Sequence, residues 1–89
     1  MAWSIELDPK AERELRAIDR QVGRRIFRFL YERLAALDNP RSIGEALNGP
    51  ELGKYWKYRV GDYRIIASIE DRVLRIIVVR VAHRSEAYR

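Results

Sequence analysis

Lys54-Tyr55-Trp56-Lys57-Tyr58-Arg59-Val60-Gly61-Asp62-Tyr63-Arg64-Ile65-Ile66 is the stretch that decides the fold. Runs mixing aromatic, apolar and charged residues flank Gly61-Asp62. They read as two strands and a two-residue turn, with glycine first as a type II′ hairpin prefers. Val60 opposite Tyr63 sets the register: Arg59 then faces Arg64, Tyr58 faces Ile65, Lys57 faces Ile66 and Trp56 faces Ala67. Side chains alternate between faces, so Trp56, Tyr58, Val60, Tyr63, Ile65 and Ala67 share one face and belong under the helices. Tyr55, Lys57, Arg59, Arg64, Ile66 and Ser68 share the other. Like charges placed opposite one another are unfavourable by roughly 0.2–1 kcal/mol. Arg opposite Arg, with Lys57 beside them, asks for an anion on that face, either a phosphate or a partner's carboxylate. The alternative is that the long arginine stems splay into solvent.

Downstream, Asp71-Arg72 reads as another tight turn, followed by a strand over about 73–82. That strand is β-branched and apolar on both faces, as an interior strand is. With Glu70 opposite Val73, Arg64 faces Val79. His83 has the parity of Val79 and is expected on the Arg64 side, unless a bulge reverses it. The tail His83-Arg84-Ser85-Glu86-Ala87-Tyr88-Arg89 then adds an imidazole, two arginines and a tyrosine to the cation face.

Upstream, Trp3, Ile5 and Leu7 alternate with Ser4 and Glu6 in a short strand. Asp8-Pro9 supplies an N-cap and a first-turn proline for a helix to about Ile18. Asp19 caps a second helix to about Leu37, with Val22, Ile26, Phe29, Leu30 and Leu34 at helical spacing. Arg24, Arg25, Arg28, Glu32 and Arg33 fall on its outer side. Asn39-Pro40 ends it, and a long connection over 38–54 follows, tacked to the core by Ile43 and Leu47. The order is β-α-α-β-β-β: an α+β fold, a helical hairpin packed on an antiparallel-rich twisted sheet, in one domain over residues 1–89. Nothing in the sequence sets where the first strand joins the sheet.

The chain of 89 residues has no cysteine and one histidine. That excludes disulfides and leaves too few ligands for an ordinary zinc site, so no metal or cofactor is expected. The first residues lack a signal peptide's pattern and no apolar run can span a bilayer, so a cytoplasmic protein without a membrane partner is expected. Residues 1–53 hold nine basic and nine acidic side chains; residues 54–89 hold nine basic and four acidic. The net charge of +5 therefore falls in the C-terminal part, and fifteen of the eighteen cations are arginine, suited to forked phosphate contacts. A nucleic acid or an acidic protein is the implied partner.

Leu47-Asn48-Gly49, the run from Tyr55 to Ile66, and the run from Val79 to Arg89 together resemble the RelE/ParE superfamily of bacterial type II toxins. The likeness covers nearly the whole chain. The resemblance implies a RelE-like fold and a toxin neutralised by a cognate antitoxin, in an assembly such as a heterotetramer. RelE-type members cleave mRNA on the ribosome without a metal and stop translation; ParE-type members poison DNA gyrase. By resemblance, Lys57 matches a lysine proposed as general base, Arg64 an arginine on the reacting phosphate, and Tyr88 a tyrosine that stacks on or orients the nucleotide. Arg84 matches an arginine of the C-terminal motif. Two positions depart from RelE: a second lysine is replaced by Tyr55, and the proposed general acid by Ala82. Acid chemistry then falls to His83 or Arg84.

The expectation is a metal-independent endoribonuclease with Lys57, Arg64, His83 and Tyr88 as catalytic residues and Lys54, Arg59 and Arg84 binding RNA or phosphate. Three rival readings are a gyrase poison, an RNA-binding module without catalysis, and an inactive toxin retained for antitoxin binding.

Overall fold

Asp8 and Asp19 act as the sequence predicts. In the computed structural model, which describes residues 3–49 and 53–87, the Asp8 carboxylate accepts the Lys10 N–H at 2.8 Å and opens helix α1, Pro9–Ala17. Asp19 accepts the N–H groups of Gln21 and Val22 and opens α2, Arg20–Arg28. Each cap satisfies donors that a first turn leaves without partners. The helical path continues past α2 as a π-helical segment, Phe29–Leu34, and the Ala35 N–H donates to the Leu30 carbonyl. Helical structure therefore stops at Leu34 instead of Leu37, although Leu37 still packs on the core. Ile26, Leu30 and Leu34 are fully buried, as their spacing requires.

Strands β1 (Ser4–Leu7), β2 (Glu45–Ala46), β3 (Trp56–Val60), β4 (Tyr63–Glu70) and β5 (Arg75–His83) form one sheet in the order β1-β5-β4-β3-β2. The strand whose place was open, β1, lies parallel to β5, with Ile5 beside Ile76 and Leu7 beside Val78. The other pairs are antiparallel. The β3–β4 register is the expected one at all five pairs, from Val60↔Tyr63 to Trp56↔Ala67. Gly61 takes φ +58 at the first turn position, while Asp62 keeps an ordinary φ. Tyr58, Val60, Ile65, Ala67, Ile76, Val78 and Val81 meet the helices in the core.

The β4–β5 register differs from expectation in two ways. Asp71-Arg72 is not a tight turn. A 3₁₀ turn, Asp71–Val73, and Leu74 at φ +51 delay the strand, so Glu70 pairs with Arg75. That shift of two residues preserves which face each side chain takes. A bulge then follows: Ile66 pairs with Arg80 but Ala67 with Val78, leaving Val79 as the extra residue. One extra residue inverts the alternation. Arg64 therefore faces Ala82, and His83 faces Tyr63.

The connection over 38–54 also carries more structure than a loop. Asn39 caps a 3₁₀ turn, Pro40–Ser42, and β2 pairs with β3 through Glu45↔Lys57 and Ala46↔Trp56. Three contacts fasten it. The Tyr58 hydroxyl donates to the Pro40 carbonyl at 2.6 Å, the Trp56 indole to Ile43 at 2.7 Å, and Arg41 grips Asp71 with both nitrogens at 2.9 and 3.1 Å. Burial pushes the Tyr58 phenol well above its ordinary value, so it remains a donor. Leu47 is buried and Ile43 packs on the core, as expected.

Candidate functional site

The alternation in β3 and β4 places Lys57, Arg59 and Arg64 on the sheet face turned away from the helices, with Arg59 directly opposite Arg64. The anion that this juxtaposition asks for is partly supplied from within. Glu45, brought alongside by β2, sits 2.9 Å from the Lys57 ammonium and 3.4 Å from the Arg59 guanidinium. Lys57 and, to a lesser extent, Arg59 hold the Glu45 carboxyl below its ordinary value of 4.5. The ion pair holds the Lys57 ammonium in place on this face, with its side chain 15% exposed.

Arg64 is restrained differently. Its Nη1 donates to the carbonyls of Gly61 and Tyr63 at 3.2 and 3.0 Å, folding the guanidinium back over the hairpin turn. On its other flank, β5 brings only the methyl group of Ala82, which is buried, opposite Arg64. Ile66, also on this face, is buried as well. Lys54 lies before β3 with its ammonium 5.2 Å from the Tyr55 ring centroid.

His83 does not join Arg64, and the expectation that it does is corrected by the Val79 bulge. His83 lies on the helix side, edge-on to Tyr63 with ring centroids 5.6 Å apart, in a shallow depression shared with Glu14, Ile18 and Arg80. The Ser85 N–H donates to His83 Nδ1 at 3.2 Å, and the Ser85 hydroxyl lies 2.9 Å from the same nitrogen. A nitrogen accepting from a backbone N–H cannot carry its own proton, so the neutral ring holds its hydrogen on Nε2. These contacts fix the turn that starts the tail. Arg84 is pinned too, its N–H donating to the carbonyl of Asp62 in the hairpin turn at 2.8 Å. Tyr88 lies outside the described residues.

One structural carboxylate completes the edge. Beyond Leu7, β1 no longer covers β5, and Glu14 of α1 takes over. One oxygen accepts the Val81 N–H at 2.9 Å and the other binds the Arg80 guanidinium at 3.1 Å.

Sequence reasoning missed Glu45. A two-residue strand is too short for alternation to reveal, and the only local signal is Gly44. Its φ is +76, and a Cβ there would collide with the Lys57 carbonyl and lie 2.8 Å from the Trp56 indole nitrogen. Glycine is what allows β2 to lie against β3.

A helical hairpin on a five-stranded mixed sheet, with a cationic outer face, defines a small class of folds. A family model described as the ParE toxin of the type II toxin-antitoxin system, parDE, matches residues 5–88, and the chain belongs to this family within the RelE/ParE superfamily. It is therefore a type II toxin-antitoxin toxin. Toxin RelE of Mycobacterium tuberculosis is 28% identical over 87 residues, covering 98% of this chain and 87% of that protein. Toxin RelG of the same organism is 26% identical, covering 100% and 99%. Among solved structures, a chain of the toxin-antitoxin complex RelBE2 from Mycobacterium tuberculosis superimposes with a TM-score of 0.85 at 23% identity, covering 97% of this chain and 95% of that one. One from the archaeal RelE-RelB complex of Pyrococcus horikoshii gives 0.75 at 23%, covering 98% and 100%. These superpositions show the RelE fold.

Proposed function

We propose that this toxin is a ribosome-dependent mRNA endoribonuclease acting in the cytoplasm and inhibiting translation. The observation that carries the reading is the convergence of Lys57, Arg59 and Arg64 on one sheet face, with arginine opposite arginine. Cleavage proceeds by attack of an RNA 2′-hydroxyl on the adjacent phosphorus. The O–P bond forms as the 2′-hydroxyl gives up its proton to water, the bond to the 5′-oxygen breaks as that oxygen takes a proton from water, and a cyclic phosphate and a 5′-hydroxyl result. Arg64 binds the phosphate, and Lys57 and Arg59 stabilise the charge on the phosphorane, the kind of fixed-charge stabilisation that contributes several kcal/mol elsewhere. Such a cationic face does in protein groups what a metal ion does in other nucleases. Tyr88 orients the nucleotide, as the resemblance implies, and Arg84 lies close enough in sequence to reach the leaving side. His83, held by Ser85 on the other face, positions this tail instead of touching the phosphate.

The proposed partner is an antitoxin with an acidic, amphipathic segment. A groove between α1 and α2, lined by Leu15, Ile18, Gly23 and Phe27 and flanked by Arg16, Arg20 and Arg24, has the matching chemistry. Phe27 and Tyr31 stack beside it with centroids 4.4 Å apart, 51% and 40% exposed. Toxins of similar fold are found with RelB antitoxins.

Two observations favour a second reading, a gyrase poison of the ParE type. The matching family is the ParE toxin family, and the residue facing Arg64 is Ala82, which offers no proton. Induction of the toxin alone, with mRNA 5′ ends mapped beside a gyrase supercoiling assay, separates the two. New 5′ ends on translated messages, abolished by Arg64→Ala and Tyr88→Phe, are expected. Intact messages with inhibited supercoiling establish the second reading.

A further inference from the structure

We propose that the groove between α2 and the β3–β4 turn is a second RNA site, which follows the phosphate backbone as it leaves the cation face around the edge of the hairpin. The groove is a depression of about 400 Å³ with arginines on both walls: Arg25, Arg28 and Arg33 on the helix, Arg59 on the sheet. Its one carboxylate is Glu32. The charge balance of residues 1–53 hides this feature. Zero net charge over that half conceals a helical segment, residues 20–34, with five arginines against one glutamate.

Three properties distinguish the groove from an ordinary solvated face. Arg25, Arg28 and Arg33 are exposed, and no ion pair engages them among the described residues. The cleft holds only Glu32 against these three guanidinium groups, while Arg59 across it is already shared with Glu45, so the helix wall keeps an excess of positive charge that suits a polyanion. The floor is apolar: Phe29 is half-buried and tilted against Tyr58, with centroids 5.7 Å apart. An aromatic face between forked cations suits a nucleotide, the ring for a base and the forks for phosphates. Finally, the groove is continuous with the candidate site. Phe29, Arg33 and Arg59 also line the adjoining depression of about 310 Å³ that reaches Lys57 and Glu45. Arg25 closes the far end over the turn, its Nη1 lying 3.1 Å from where a Cβ on Gly61 would stand.

The choice of RNA rests on the proposed ribonuclease reading, so the test measures binding alone. The purified full-length chain is titrated with a fluorescently labelled RNA hairpin bearing a single-stranded flank, over a series of salt concentrations. The groove variant Arg25→Gln/Arg28→Gln/Arg33→Gln is compared with Lys10→Gln/Arg13→Gln/Arg72→Gln, which removes the same charge from exposed positions elsewhere. Each lost phosphate contact flattens the slope of log K against log salt by about 0.7 for single strands, so the groove variant should flatten it by about 2 and weaken binding at least tenfold. The distal variant should change the slope by less than 1. Equal losses in the two variants overturn the proposal in favour of a net-charge effect. Unchanged RNA binding by a groove variant that melts normally also overturns it, and if that variant has lost binding to labelled polyglutamate, the groove serves an acidic protein. Should the groove variant lose RNA as predicted while the native toxin leaves ribosome-bound mRNA intact, the ribonuclease reading fails and the groove stands.

Discussion

Replacing Gly44 by alanine tests the arrangement that delivers Glu45 to Lys57. At φ +76 any residue with a Cβ is strained by about 1–2 kcal/mol. The new methyl would also strike the Lys57 carbonyl and sit 2.8 and 2.9 Å from Trp56 Nε1 and Tyr58 Cδ1. Neither ring can yield, because the indole is bonded to Ile43 and Tyr58 is 1% exposed. Strand β2 must lift from β3, losing ladder hydrogen bonds worth about 1 kcal/mol each. The total is about 3–5 kcal/mol, a large share of the roughly 4–13 kcal/mol expected for a chain of this length. Gly49→Ala is the control. Its φ is +103, but a Cβ there meets nothing within 4 Å among the described residues, so only the backbone strain applies. Urea denaturation of both variants at neutral pH should separate them by about 2 kcal/mol, or 1–2 M in midpoint at the slopes typical of small domains. Equal midpoints would mean that β2 does not depend on the close approach at Gly44, and the structural account of Glu45 would be wrong.

Other outcomes follow from neighbouring contacts. Glu14→Ala should cost about 1–3 kcal/mol by leaving the Val81 N–H without its acceptor, whereas Glu14→Gln, which retains a carbonyl oxygen, should lose less; thermal melting distinguishes them. Glu45 and Asp71 are held below their ordinary values, chiefly by Lys57 and Arg41 respectively. Their contributions are complete above the unfolded carboxylate range near pH 4 and are lost as pH falls through the lower folded values, because the unfolded chain then takes up protons first. Urea midpoints should therefore decline below about pH 5, and less so in Glu45→Gln/Asp71→Asn. His83→Ala should diminish cleavage across the pH range without shifting the shape of its profile, since the ring positions the tail; loss of a limb of the profile near the histidine range of about 6.5 would restore it to the reaction.

The hairpin was legible because three independent signals agreed. Alternation assigned the faces, Gly61-Asp62 assigned the turn, and aromatic bulk identified the buried side. All five β3–β4 pairs follow from them. The third late strand offered no such agreement. Ile76-Ile77-Val78-Val79 is apolar on both faces, so a one-residue slip leaves the pattern almost unchanged, and nothing in composition marks Val79 as the extra residue. The helix caps were readable because Asp8 and Asp19 act locally. The arrival of Glu45 beside Lys57 and the facing of Arg59 by α2 depend on tertiary placement, which no local pattern encodes. Tyr88, which the resemblance makes central, lies outside the described residues.

The bulge at Val79 gives this strand a place to absorb a change of length. Without that residue Arg80 would follow Val78 directly, each already on the face that regular alternation requires, so Arg80 would still pair with Ile66 and His83 with Tyr63. A variant lacking Val79 should therefore keep the chain's last residues on the same sides of the sheet, and counting residues between Ile66 and His83 without locating the bulge would assign them to the wrong side.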